Sequence, residues 1–371
     1  MSTAVKTVFC YDNVDEKTFH TEIYPKREPA VLRGVSVGPC TLLWDKDYLC
    51  TRGGKRDVKV HVSQDRHMDF ISKNFLYRTL PFCELVQRAS GSKKANFFIS
   101  ETELYYLRTL GSDSRKEPAN IATQFPELAE DVTLPKLFPN EAFFSSVLRI
   151  ASPQLCLWTH YDTDIQHDNR CGVLLCGVMY PAPAPKCDGG KMSDCCLSDW
   201  SGAPQLLATE GHGLTVGIIQ IVMDNFLIQV KGKKKAVLFH PNDFEYLYIQ
   251  GDKSRVLDVE CPDLEKFPKF QKATRYEATL NSGDILFIPA LWFHNMTALD
   301  FGIAVNVFWR NLDASLYDKN DPYGNKDLIP AAKALASVQR ATKELQLLPF
   351  DCQQFYALKM ISQIKETFNL S

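Results

Sequence analysis

NSGDILFIPALWFHN, residues 281 to 295, opens on a turn and runs straight into a strand. Asn281 to Asp284 supply the turn chemistry, and the apolar run that follows stops at Pro289, which cannot donate to a strand ladder. His294 then follows among aromatic residues. Downstream, FGIAVNVFW (301–309) is a second strong strand. Upstream, FLIQVKGKKKAVLF (226–239) has the form of a hairpin around Lys231-Gly232, and SSVLRIASPQLCLWTHYD (145–162) is two apolar runs broken at Ser152-Pro153. Several short strands separated by turns predict an antiparallel barrel or sandwich.

The flanks differ from this β-rich centre. Residues 1 to about 100 mix strand-like runs, AVLRGVSV (30–37) and DVKVHVS (57–63), with the amphipathic stretch LPFCELVQRAS (80–90); SETELYYLRTLG (100–111) adds a short element. After the polar loop YDKNDPYGNKD (317–327), Pro330 sits where a first helical turn tolerates proline. Leu335, Val338, Ala341 and Leu345 recur at helical spacing. Pro349 then breaks the helix, Asp351 is placed to cap the next, and Phe355, Leu358, Ile361, Ile364 and Phe368 repeat the pattern. Two amphipathic helices therefore end the sequence, either packed on the β-rich body or paired with a second subunit.

The chain has 371 residues, 45% hydrophobic and 23% charged, the profile of a globular protein with a large core. Its longest apolar runs, GVLLCGVMY (172–180) and TVGIIQIVM (215–223), are too short to span a bilayer. The start of the sequence lacks the pattern of a secretory signal, and twelve irregularly spaced cysteines are expected to be free thiols in a reducing, intracellular and cytoplasmic setting. A net charge of −2 gives no argument for nucleic acid and leaves room for a local basic groove. Arg149, Lys231, Lys233 and Lys235 are candidates for one.

LWTHYDTDIQHDN (157–169) offers metal-ligating side chains several times over: His160, Asp162, Asp164, His167 and Asp168. On a strand, residues two apart share a face, so His160 and Asp162 can supply two of the three ligands of a two-histidine, one-carboxylate iron site. Such pairs are common, and a site also needs a distal histidine and an anchor for a co-substrate. His294 is the distal candidate, although it could equally be a packed corner with its ring bonded to backbone. The lysines of GKKK (232–235) could anchor a dicarboxylate or simply be solvated.

In combination these motifs carry a resemblance. HYD (160–162), Asn225 with Gly232 and Lys234, the LFHP run, GDILFIPALWFH (283–294) and VNVFW (305–309) resemble the JmjC-type oxygenases that use iron and 2-oxoglutarate. YPKREPAVLRG (24–34), MDFISKNFLYRTLPF (68–82), YYLRTLG (105–111) and FFSSVLRI (143–150) are similar, more narrowly, to the tRNA wybutosine hydroxylases of that group. The resemblance implies a mainly β fold with α elements: a cupin double-stranded β-helix (JmjC) barrel, flanking helices and a C-terminal helical pair. It implies Fe(II) ligands His160, Asp162 and His294. It also implies a 2-oxoglutarate pocket of Tyr106, Asn225, Lys234 and Asn306, with O2 as the other co-substrate. The implied partner is tRNA(Phe) carrying wybutosine, and the implied product hydroxywybutosine. A homodimer through the C-terminal helices is expected, and no membrane association.

One departure stands out. In the family the asparagine follows the iron-binding aspartate by four positions; here Asn225 follows Asp162 by 63. Removing residues 163–221, a stretch of 59, restores the spacing and makes Asp164, His167 and Asp168 decoys. This insert holds five of the twelve cysteines (Cys171, Cys176, Cys187, Cys195 and Cys196), whose spacing with His167 and His212 does not fit a zinc site. The expected division is thus an N-terminal α+β region (1–101), a JmjC domain (102–326) interrupted by residues 163–221, and a C-terminal helical region (327–371). Two rivals accompany the tRNA hydroxylase expectation: a protein hydroxylase or demethylase, and an inactive JmjC scaffold whose site the insert disrupts.

Overall fold

The structure, a computed structural model, describes residues 5–93, 95–111, 113, 116–139, 142–160, 223–251, 253–321 and 326–370, with backbone alone for 158–160. All of them belong to one compact unit. Asp162, Asp164, His167, Asp168, His212 and the five insert cysteines lie outside the described residues.

Two sheets carry the architecture. The eight-stranded sheet runs β1 (Val5–Thr7), β14 (Arg275–Leu280), β11 (Lys234–Phe239), β16 (Phe293–Ala298), β9 (Cys156–His160), β13 (Lys253–Ser254) and β12 (Ile249–Gln250), with β5 (His67–Met68) also pairing to β9. The nine-stranded sheet runs β2 (Phe9–Asp12), β3 (Ala30–Arg33), β15 (Ile285–Ile288), β10 (Asp224–Lys231), β17 (Gly302–Trp309), β8 (Phe143–Ala151), β7 (Leu104–Arg108), β4 (Asp57–Ser63) and β6 (Phe75–Pro81). Chain order explains the pattern. Strands β8 to β11 alternate between the sheets, and β14 to β17 alternate again, so that two interleaved four-strand runs wind into the double-stranded β-helix of a cupin. No strand pair among the described residues joins the two sheets, so they face each other as a sandwich and the barrel is not closed by a continuous hydrogen-bond ladder.

The hairpin expected at Lys231-Gly232 is not one. β10 and β11 lie in different sheets, and the turn carries the chain from one to the other. Gly232 has φ +77, and a Cβ built there would stand 2.3 Å from the Phe301 carbonyl oxygen, so only glycine fits.

Alternation along the strands makes two cores from one sheet. Phe226 and Ile228 of β10, Val305 and Val307 of β17, and Leu148 and Ile150 of β8 face outward and meet Phe19, Trp44, Phe82 and Phe125 from the helical segments. Residues of the opposite phase, Leu227 and Ala304, face inward and meet Ala236 and Leu238 of β11 and Met296 of β16 across the sandwich. Each large outward ring that is fully buried, Phe226 among them, contributes about 2–3 kcal/mol. The helix Phe82–Ala89 forms within the stretch expected, burying Phe82, Leu85 and Val86.

The expectation that every cysteine is free does not hold. Cys50, in the helix Lys46–Arg52, and Cys83, in Phe82–Ala89, form a disulfide. At the C-terminal end, two helices span Ile329–Leu345 and Phe350–Phe368. Pro330 sits in the first turn as expected, whereas Pro349 occupies the cap of the second helix and Asp351 falls inside its first turn. Their apolar stripes stay exposed: Leu335, Val338, Phe355, Leu358, Ile361, Ile364 and Phe368. Among the described residues no helix is long and apolar enough to cross a membrane.

Candidate metal and co-substrate site

Strands β16 and β9 run antiparallel with His294 directly opposite His160. That register depends on a bulge. Leu157 pairs with Met296 and His160 with His294, so three steps along β9 oppose two along β16, and the extra residue brings the two histidines level. Asp162, the third ligand implied by the resemblance, lies outside the described residues, and among the described residues no group of three metal-ligating side chains occurs.

His294 is buried, 3% exposed, with Nδ1 3.1 Å from the carbonyl oxygen of Trp292. Nδ1–H donation to that carbonyl places the lone pair on Nε2, the tautomer that a metal requires. The loop before His294 is braced in turn. The Trp292 indole donates to the Arg27 carbonyl at 3.0 Å, and the Ala290 amide donates to Asp224 Oδ1 at 2.8 Å. Asp224 is fully buried and also takes both arms of the Arg27 guanidinium, at 2.8 and 2.5 Å. The packed-corner alternative and the ligand expectation thus describe the same ring, bonded to backbone through one nitrogen and oriented through the other.

His294 lines a cavity beside it. Its walls are Ala151, Leu155, Leu157, Leu227, Met296 and Ala298, and its polar groups are Tyr106, Arg149, Lys234, His294 and Asn306. Four of the residues expected from sequence therefore meet in one chamber. Asn225, a fifth, accepts a 3.0 Å hydrogen bond from Asn306 Nδ2. Asn306 Oδ1 is buried without a hydrogen-bond partner among the described residues.

Lys234 opens β11 opposite Ala298 of β16, placed there by the glycine crossover. It is 8% exposed, and burial together with the Arg149 charge lowers its pKa from 10.5 to about 7. No described residue forms an ion pair with it, and no carboxylate is among the described lining residues. A buried ammonium of this kind is costly until an anion joins it. Buried cationic donors with no carboxylate among the described lining residues fit an anionic co-substrate, and the imidazole at the same chamber fits a metal beside it.

Two expectations for a basic groove change. Lys235 points away from the cavity side and pairs with Glu260 at 2.8 Å and Glu277 at 3.5 Å. Arg149 lines the cavity, its Nη1 donating to Tyr106 Oη at 2.5 Å. Sequence reasoning offered Arg149 as a candidate for a basic groove and did not place it in the pocket, yet the signal was present: in β8 it alternates with Leu148 and Ile150, both outward, and so shares the inward face with Ala151.

Comparison with known proteins agrees with the fold. The cupin-like domain family matches residues 16–178 and 211–315; the interruption falls inside the stretch 163–221. Over 355 residues the chain is 48% identical to a Danio rerio protein named tRNA wybutosine-synthesizing protein 5, covering 96% of this chain and 91% of that one. The Homo sapiens protein of the same name is 45% identical, over 96% of this chain and 94% of its own length. An Aspergillus oryzae protein named tRNA wybutosine-synthesizing protein 4 is 30% identical over 93% of this chain, which spans 27% of that longer protein. The chain belongs to the cupin-like JmjC family of wybutosine-synthesising proteins.

Proposed function

We propose that this member of the family is an Fe(II)- and 2-oxoglutarate-dependent dioxygenase that hydroxylates the wybutosine side chain of tRNA(Phe), giving hydroxywybutosine. The observation that carries the reading is the shared chamber: a buried histidine in register with a second one, facing a buried lysine that has no carboxylate partner among the described residues. The relatives' names supply the RNA and its modified base.

Held by His160, Asp162 and His294, Fe(II) would couple oxidative decarboxylation of 2-oxoglutarate by O2, giving succinate and CO2, to insertion of the second oxygen atom into a substrate C–H bond. The protein's part is placement. The Trp292 carbonyl fixes the His294 tautomer. Lys234 and Tyr106 hold the far carboxylate of the co-substrate, the lysine by charge and the phenol by its hydroxyl hydrogen. Asn306 lines the chamber and donates to Asn225 Oδ1, while Leu157, Leu227 and Met296 give the chamber apolar walls. Low polarity strengthens every one of these contacts.

The test uses wybutosine-bearing tRNA, Fe(II) and 2-oxoglutarate, with mass analysis of the released nucleoside. Gain of one oxygen with the native chain and none with His294→Ala supports the proposal. Turnover of 2-oxoglutarate with peptide oxidation and unchanged tRNA would move the substrate to the protein hydroxylase and demethylase class. A second reading, an inactive scaffold, draws on the insert beginning immediately after Asp162 and on the interrupted family match. It predicts that only a chain lacking residues 163–221 is active. The exposed apolar stripes of the two C-terminal helices further support a homodimer built through them, and the tRNA in the relatives' names supports work inside the cell.

A further inference from the structure

Among the described polar residues lining the chamber, Arg149 is the one to which the resemblance assigns no role. It stands on β8 with Ala304 of β17 on one side and Arg108 of β7 on the other, and reaches into the same space as Lys234 and Tyr106. Its Nη1 donates to Tyr106 Oη. A phenol oxygen that accepts from a guanidinium turns its own hydrogen elsewhere, which here leaves it available to an anion. On the other edge, Arg149 Nε is buried with no hydrogen-bond partner among the described residues. Guanidinium grips carboxylates through adjacent parallel N–H groups, so an unused Nε edge is half of a fork waiting for its oxygen pair.

We propose that Arg149 is a co-substrate-binding residue that selects 2-oxo acids bearing a second carboxylate, gripping that carboxylate together with Lys234 and Tyr106. The inference rests on the co-substrate reading of the chamber and names the residue that confers its selectivity.

Charge explains why one lysine does not suffice. A buried lysine whose pKa has fallen to about 7 is only partly protonated at neutral pH, and part of that fall comes from Arg149 itself. Guanidinium keeps its charge throughout this range. Arg149 thus guarantees a cation in the chamber whatever the state of Lys234, and an arriving carboxylate restores the proton to the lysine. An acid that lacks the far carboxylate gains nothing from either group and leaves both cations uncompensated.

The test is calorimetric titration of the full chain, loaded with Mn(II) as a redox-silent metal, with 2-oxoglutarate and with 2-oxobutyrate. 2-Oxobutyrate keeps the oxo-acid end and lacks the distal carboxylate. Arg149→Leu is expected to weaken 2-oxoglutarate at least tenfold while leaving 2-oxobutyrate within twofold of the native chain. Arg149→Lys is expected to recover part of the loss, since it restores charge without the fork. Melting curves of each variant establish that it is folded, and Arg149→Gln serves in place of any that is not. If Arg149→Leu binds 2-oxoglutarate as the native chain does, while Lys234→Met abolishes binding, the proposal for Arg149 falls and the chamber's role stands. If Lys234→Met also leaves 2-oxoglutarate binding intact, the co-substrate reading falls with it. Loss of tRNA affinity in Arg149→Leu with 2-oxoglutarate unaffected would return Arg149 to the RNA surface and overturn the inference.

Discussion

Lys234→Met should make the protein more stable and less able to bind its co-substrate. Methionine fills nearly the same volume without a charge, so the change removes the cost of an uncompensated buried ammonium. The magnitude follows from the pKa. Because the folded state lowers it from 10.5 to about 7, the unfolded chain binds more protons between those two pH values, and stability rises with pH across that window. Below about 7 the lysine is charged in both states and the full penalty applies, about 5 kcal/mol. For a chain of 371 residues, with an unfolding entropy of about 0.8 kcal/mol per degree, that is a gain in Tm on the order of 6 °C at pH 6. At pH 9 the penalty shrinks to about 2 kcal/mol, and the gain to roughly 2–3 °C. Scanning calorimetry of both chains at the two pH values, without co-substrate, reads the difference directly. A gain equal at pH 6 and pH 9, or a loss of stability at pH 6, would refute the assignment of Lys234 as a buried cation without an anionic partner.

Other perturbations probe the frame around the site. Asp224→Asn takes the bidentate carboxylate from Arg27 and should cost about 3 kcal/mol in urea unfolding; a cost below about 1 kcal/mol would mean that the brace behind the His294 loop is slack. Gly232→Ala forces a Cβ against the Phe301 carbonyl at a positive φ and should destabilise by at least about 2 kcal/mol, measured the same way. Phe226→Ala, in the outward core, should cost about 3–5 kcal/mol by loss of a fully buried ring. Leu358→Glu with Ile361→Glu, on the exposed stripe of the last helix, should turn a dimer into a monomer by light scattering without lowering Tm of the β-rich body; an unchanged mass would place the dimer elsewhere or abolish it.

Much of the fold was legible because alternation is local. GDILFIPALWFH and FGIAVNVFW declare strands by their own sequence, and β15 and β17 fall within them, whereas β16 begins only at Phe293 and runs on to Ala298, past the stretch read as a strand. What was not legible is long-range. A glycine of positive φ serves a hairpin and a crossover equally well, and only the pairing partners of β10 and β11 decide between them. Cys50 and Cys83 sit 33 residues apart with no motif spacing, so nothing local announces their bond. The bulge that levels His160 with His294 is likewise a property of two strands together. Within the site, Tyr106, Lys234, His294 and Asn306 came from motif resemblance and meet in one chamber. Arg149 was offered from sequence only as a candidate for a basic groove, and its inward phase along β8, which places it in the chamber, was not read.

Isotope tracing in the wybutosine nucleoside tests the central claim most directly. The native chain is incubated with Fe(II), 2-oxoglutarate and wybutosine-bearing tRNA under oxygen-18 gas in ordinary water. The account predicts one oxygen-18 atom in the nucleoside and another in succinate. Oxygen drawn from water, or succinate formed while the nucleoside stays unchanged, would contradict it.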